Sequence, residues 1–396
     1  MTILVCHNHY ALRAGEDHAV AAQCALLRAH GHTVIQYTRD NADISAWPWW
    51  RRLLAVVTAF YNPRTRREIA DLVARTRPDV AHVHNVFPLL SPSVFPALRR
   101  AGVPVVYSAH NFRCVCANAL LFRDGRPCHD CLEWRYKACV RGKCFRGSRA
   151  ASLWYAAIIW WHRRRRTLQR HVHRVIALNQ FSREIFLRAG FDGQRVVVLP
   201  NFADTTHSVA VDAPEPYVLF AGRLSDEKGI MTLIEAAARV PQAHIRIAGS
   251  GPREDAVRAA IAAHNLRNVT LLGHLPSAEL TRITAHALAL IFPSECYENC
   301  PLVVINALWA GTPVIAARTG GVPDFVPEGI AGWLFTPGNS AELAARLQWL
   351  FAHQAEAAAL RPRARAFARQ QFSPEQHLAR LIQIYHSAIA AAQEIR

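Results

Sequence analysis

Short apolar runs alternate with helical stretches along this chain, and that alternation restricts its fold more than any other feature. "TILVCH" leads into "DHAVAAQCALLRAHG", where Gly31 reads as a helix stop. "HTVIQYT", "VAHVHN", "VPVVYSAHN", "RVIALN" and "VVVLPN" follow as strands. After residue 215 the rhythm restarts with "YVLFAG", "HIRIAG", "VTLLG", "LALIFPS", "PVIAA" and "GWLFT". Strands alternating with helices build parallel sheets from βαβ units. Two such series, joined at "LPNFADTTHSVAVDAPEP", predict two doubly wound α/β domains, residues 1–200 and 201–374. The terminal helix, 375–396, is expected to pack back on the first. Several strands end in Gly, Asn or His, and ligands of such sheets gather at strand C-termini.

The 396 residues exceed one typical domain, and 51% are apolar, enough for large cores. "MTILVC" has no basic leader and reads as a strand. "AASLWYAAIIWW", 12 residues, is short of the roughly 20 that span a bilayer. A cytoplasmic protein is expected. Charge is uneven: up to residue 200 there are 30 Lys+Arg against 12 Asp+Glu, and after it 16 against 17. A basic half implies an anionic surface, either membrane lipid or nucleic acid. Codon bias accounts for Arg over Lys but not for the unequal halves. Only Lys137, Lys143 and Lys228 are lysines, and a compact ammonium suits a phosphate oxygen.

The stretch "SECYENCPLVVINALWAGTPVIA", residues 294–316, places Glu298 before an apolar helix. Pro301 suits the first helical position and Gly311 the stop. A helix apolar all round is buried, and its N-terminus is a ready phosphate site. Asn306 would be a polar group in that interior and needs a partner. The alternative is a helix-end carboxylate and a satisfied core amide. Around this segment stand "FAGRLSDEKGI" with Arg223 and Lys228, then "IAGSGP", "LLGHLP" and "TGGVPDFV".

In the order and spacing of these elements the chain resembles the retaining glycosyltransferases of family 4 (glycosyl transferases group 1). Its most specific piece is Glu-x7-Glu, with Glu298 at the first position and Asn306 at the second. The resemblance implies the GT-B fold, two Rossmann-like doubly wound domains facing across a cleft. It implies a nucleotide-diphosphate sugar as donor and a glycan or lipid-linked acceptor, in cell-surface polysaccharide or lipopolysaccharide synthesis. Glu298 would lie by the donor sugar, Asn306 by the ribose, and Arg223 and Lys228 by the diphosphate. Asn299, Pro301 and Leu302 complete the donor-side helix mouth. "NHYALRAGEDHAV" resembles the N-terminal Gly loop, with Ala14 in place of one Gly and Gly15 remaining, and His110 matches a His facing the reacting sugar. The implied chemistry uses no catalytic metal, and the chain has no Asp-x-Asp pair to hold one.

Six of the ten cysteines fall in the insertion at 114–147, and Cys128 and Cys131 form C-x2-C. Clustered Cys in a cytosolic chain reads as zinc ligation rather than disulfides. Cys116, Cys128, Cys131 and Cys144 are the preferred structural set, with Cys139 and Cys114 open. "WPWWRRLLAVVTAFYNPRTRR" and "LWYAAIIWWHRRRR" pair aromatic clusters with Arg runs, which suits an anionic membrane surface on its inner face. No nucleic acid is expected as partner. The rival readings are a zinc-bearing nucleic-acid-binding protein, which leaves the second domain's loops unexplained, and a sugar-nucleotide epimerase on the same fold.

Overall fold

Every run read as a strand above is a strand in the computed structural model, which describes residues 1–12, 15–206, 209, 211 and 213–394. Ala14 of the Gly loop lies outside the described residues. The chain divides into two units. One comprises Met1–Leu121, His129–Pro200 and Glu375–Arg396, and the other Phe122–Cys128 and Asn201–Pro374.

The first unit is built on β1 (Thr2–His9), β2 (Thr33–Asp40), β3 (Val80–Val83) and β4 (Val105–Ala109). A short hairpin, β5 (Phe122–Arg123) and β6 (Arg126–Pro127), lies in the Cys-rich insertion. The sheet is then completed by β7 (Arg174–Ala177) and β8 (Val196–Val198). The strand order is β2-β1-β3-β4-β7-β8, parallel throughout. Ile3 to Cys6 and Val80 to Val83 are buried on both faces, which is why these strands read as continuous rather than alternating apolar runs. The terminal helix, Pro374–Gln393, supplies side chains to this unit. Tyr385 is fully buried with its hydroxyl 2.8 Å from His82 Nδ1. His377 Nδ1 lies 2.9 Å from the Pro200 carbonyl and Nε2 3.2 Å from the Gln23 amide.

The second unit holds β9 (Glu215–Ala221), β10 (Ile245–Ala248), β11 (Val269–Gly273), β12 (Ala287–Phe292), β13 (Val314–Ala317) and β14 (Gly332–Phe335). Their order is β11-β10-β9-β12-β13-β14, again parallel. The order reverses at the β9–β12 pair, so a crevice is expected beyond the C-terminal ends of those two strands. Leu233, Leu343 and Leu347 are buried in one core of this unit. Val304, Leu308, Ala364 and Phe372 are buried in another. Each such large apolar side chain contributes about 1.5–3 kcal/mol by leaving water.

The apolar helix runs from Leu302 to Ala310 and ends at Gly311, whose φ of 89° is the left-handed conformation that glycine favours. Pro301 is the N-cap rather than the first helical residue. Its ψ of 98° keeps it extended, so the helix starts one position later than the sequence suggests. Arg361 closes the far end of this core. It is 1% exposed and donates to the carbonyls of Val211, Ala285 and Ala287. Arg361→Met keeps the bulk but strands those acceptors, so the unit should lose about 3 kcal/mol or more. A denaturant melt followed through the tryptophans reads that loss, and an unchanged midpoint would contradict the account.

Candidate active site

Two loops meet at the β9–β12 pair. One leaves β9, makes a 3-10 turn at Asp226–Lys228 and enters the helix Ile230–Arg239 through Gly229. The other leaves β12 and crosses residues 293–301 to the helix mouth. Gly229 has φ 65°, and a Cβ there would stand 2.0 Å from the Pro293 carbonyl oxygen. Only glycine allows that approach. The Glu227 carbonyl then accepts from Glu295 N at 2.9 Å and from Ser294 Oγ at 3.2 Å. Thr232 Oγ1 donates to Glu295 Oε1 at 2.6 Å.

This stitching brings Lys228 to Glu298. Lys228 Nζ donates to Glu298 Oε1 at 2.5 Å, and Ser294 Oγ donates to the same oxygen at 2.6 Å. The pair is largely out of water, with the lysine 28% and the glutamate 14% exposed. Burial works against the lysine's charge, but the Glu298 carboxylate outweighs it and the pKa is raised. Burial and the same carboxylate push the nearby Cys296 thiol up to about 12. Lys228 is therefore a fixed cation and Cys296 a neutral thiol at neutral pH.

The other expected donor-side residues lie in this unit too. Asn299 and Pro301 are buried and Leu302 is half-buried at the helix mouth. Arg223 is exposed and makes no ion pair with another described residue. Asn306 is half-buried, and its side-chain oxygen accepts from the Asp204 backbone N–H at 3.0 Å. The amide in the apolar run thus has a definite partner, the segment entering this unit.

Gly15 and His110 belong to the first unit. Gly15 opens the helix Gly15–Ala29. His110 follows β4 and His84 follows β3, and their facing nitrogens lie 2.9 Å apart. Beside them Tyr10 donates to Glu16 at 2.8 Å, and Asn111 Nδ2 donates to both Tyr10 and Glu16 at 3.1 Å. Glu16, His110, Arg113, Phe87, Tyr155 and Ile158 line one cavity. Sequence reading singled out only His110 among these. "HVHN" and "GED" carried the signal, but nothing in one sequence pairs His84 with His110.

Among the described residues one cluster gathers three candidate metal ligands. Donor atoms of His7, His9 and Asp17 lie within 4.8 Å of one another. Asp17 Oδ1 there sits 3.0 Å from His7 Nε2 and 2.9 Å from His9 Nδ1, so hydrogen bonds suffice to explain the cluster. In the insertion, thiol contacts run from Cys116 to Cys131, on to Cys139 and on to Cys144. Cys116 lowers the Cys131 pKa and Cys131 lowers that of Cys139, but the next thiol along and burial outweigh this and push both up to about 12. The thiols follow one another in a row, and among the described residues no three of them converge as the His7, His9 and Asp17 donors do. Arg163 secures it, donating to the carbonyls of Cys131 at 2.6 Å and Leu132 at 2.9 Å. Cys128 ends the 122–128 segment and is half-buried.

Two family descriptions match the chain: Glycosyltransferase Family 4 over residues 15–207 and Glycosyl transferases group 1 over 204–367. A sulfoquinovosyl transferase of Arabidopsis thaliana is 33% identical over 139 residues, 34% of this chain and 26% of that one. An alpha-D-kanosaminyltransferase of Streptomyces kanamyceticus is 25% identical over 251 residues, 62% of this chain and 61% of that one. The chain thus matches less than two thirds of these relatives' own lengths. Among solved structures, Anabaena HepE in complex with UDP aligns at TM-score 0.71 and 19% identity, covering 98% of this chain and 100% of that one. Sucrose-phosphate synthase of Thermosynechococcus elongatus aligns at 0.74 and 21% identity, covering 98% and 99%. The fold is that of these enzymes, two parallel-sheet α/β domains of the GT-B kind.

The first unit's histidines make a pH prediction. Burial is the main cause holding His110, His162, His173 and His377 down to about 4 and His82 to about 3, against an ordinary 6.5. The unfolded chain takes up these protons first. Stability is therefore complete above pH 6.5 and falls as the pH drops from there toward 4. His377→Gln should show a smaller drop in melting temperature between pH 7 and pH 5 than wild type. An equal drop would remove His377 from the account.

Proposed function

The chain belongs to the family 4, group 1 glycosyltransferases, and on that premise we propose that it moves a sugar from a nucleotide diphosphate to a glycan or lipid-linked acceptor with retention of configuration. The observation that carries this reading is the Lys228–Glu298 pair beside the mouth of the 302–310 helix. When the bond from sugar C1 to the diphosphate breaks, negative charge develops on the leaving oxygen. Lys228, Arg223 and the helix N-terminus stabilise it, and no metal is required. The acceptor oxygen bonds to C1 on the face the diphosphate leaves, and its proton passes to a leaving phosphate oxygen. Glu298 orients the donor sugar, with Asn299, Pro301 and Leu302 shaping its surroundings. Asn306 serves the ribose side through its amide, and Gly15 lets backbone approach the donor. His110, held by His84, faces the acceptor side.

Cell-surface polysaccharide or lipopolysaccharide synthesis fits such an acceptor, as do relatives named for amylovoran and colanic acid biosynthesis. Among the described residues no helix is long and apolar enough to cross a membrane. We place the protein in the cytoplasm, peripheral on the inner membrane face through its basic first half.

Lys228→Ala and Arg223→Ala should each weaken nucleoside diphosphate binding by about 1.5–3 kcal/mol while leaving nucleoside binding almost unchanged. UDP and uridine are the first pair to try, because the Anabaena structure carries UDP. Glu298→Gln should bind UDP yet lose turnover. Equal weakening of both ligands, or wild-type turnover in Glu298→Gln, would sink the assignment.

A structural zinc on the cysteine row completes the reading. Bound there, zinc would hold the insertion folded without joining the reaction. The proposed ligand set is Cys116, Cys128, Cys131 and Cys144, with Cys139 as the alternative. Cys128 comes from the C-x2-C spacing and Cys139 from the thiol contacts. About one zinc per chain is expected, with Cys128→Ser and Cys139→Ser differing in metal content. Zinc-free protein prepared without chelator would end the proposal.

A further inference from the structure

The helix Trp49–Thr58 buries none of its ten residues. Trp49, Trp50, Leu53, Leu54, Val56 and Val57 are all exposed, Trp49 at 76%. At 100° per residue these six share one face about 160° wide. A contiguous apolar face of that size left in water marks an interaction surface. Leu153, Trp160 and Trp161 of the helix Arg149–Arg164 are exposed as well. Trp154 of that helix donates to the Val56 carbonyl at 2.9 Å and ties the two helices together.

The neighbouring face of the 49–58 helix, with Arg51, Leu54, Ala55 and Thr58, walls a groove of about 580 Å³. Arg39, Arg64 and Arg67 line it too, against one acid, Asp43. Glu68 fixes two of these arginines by pairing with Arg39 and, at 2.8 Å, with Arg64. Arg51 lies 4.1 Å over the Trp47 ring. Arg51 and Arg67 are exposed, and neither pairs with an acid among the described residues.

The helix Pro63–Thr76 adds a separate indication. Arg64 and Arg66 stand in its first turn, which carries no acid, and Arg67 follows directly. Cations at the positive end of a helix dipole cost stability, and an anion seated there would relieve them. Leu54 belongs both to the groove and to the apolar face. The ligand that matches has an anionic head and an apolar body side by side.

We propose that this groove takes the phosphate headgroup of an anionic phospholipid, with the acyl chains against the exposed face of the 49–58 helix. Arginine forks suit phosphate oxygens, and tryptophan suits the bilayer interface. The inference deepens the membrane part of the reading above and rests on it.

Full-length protein is sedimented with phosphatidylglycerol vesicles and, in parallel, phosphatidylcholine vesicles. Wild type should prefer the anionic vesicles. Arg51→Gln/Arg67→Gln should weaken that binding about tenfold or more, with weak partition into neutral vesicles unchanged. Arg75→Gln/Arg77→Gln removes the same charge at the other end of the 63–76 helix and should cost only a few-fold. Trp49→Ser/Trp50→Ser should reduce binding to both vesicle types. If the two arginine pairs weaken binding equally, net charge alone is at work and the groove is overturned while membrane attachment stands. If wild type binds neither vesicle, the groove and the membrane reading both fall. UDP thermal shifts should be the same in all four proteins, which separates this surface from donor binding.

Discussion

The loops that follow β9 and β12 depend on the approach of Gly229 to the Pro293 carbonyl. Neither loop is a regular element, so each needs partners for its backbone groups. The approach lets the Glu227 carbonyl serve residues 294 and 295, and it delivers Lys228 to a carboxylate three residues further on. Any side chain at 229 would drive the two loops apart. The same principle recurs at Gly249, where a Cβ would lie 1.9 Å from the Gly222 carbonyl. Loop is packed on loop by backbone, and charged side chains are aimed as a consequence.

The two units carry different electrostatic burdens. In the second, the half-buried Lys228–Glu298 pair sits beside a neutral thiol and a hydroxyl. In the first, neutral imidazoles fill the strand ends beneath a strongly arginine-rich surface. Burial keeps those rings uncharged, which avoids adding further positive charge to a basic body. Outside, the arginines at the start of the 63–76 helix are badly placed for stability, as residues kept for binding often are.

Much of this could be read from the chain. Apolar runs located all the strands of both large sheets, because parallel strands buried on both faces leave little ambiguity. Loop residues flanking those strands pointed to Glu298, Lys228 and Arg223. Partnerships were not legible. That Lys228 rests on Glu298, that Asn306 holds the Asp204 N–H, and that Cys139 stands between Cys131 and Cys144 are matters of tertiary packing. The groove gathers Arg39, Arg51, Arg64 and Arg67 from separate elements, and no periodicity links them. The start of the apolar helix moved by one residue because Pro301 keeps an extended ψ.

Tyr385 on His82 and His377 on Gln23 have a bearing on how the polypeptide is made. The first unit is assembled from residues 1–121 and 129–200 and from a helix that leaves the ribosome only after the whole of 201–374. Until then β3 lacks the ring that covers His82, and the 15–29 helix lacks the partner of Gln23. The second unit, apart from the 122–128 segment, is contiguous and can fold as soon as it emerges. During synthesis, therefore, the half made first waits for the 374–393 helix while residues 201–374 emerge. Over that interval His82 and Gln23 stand without their native partners, and incomplete packing of this kind is where chaperones act.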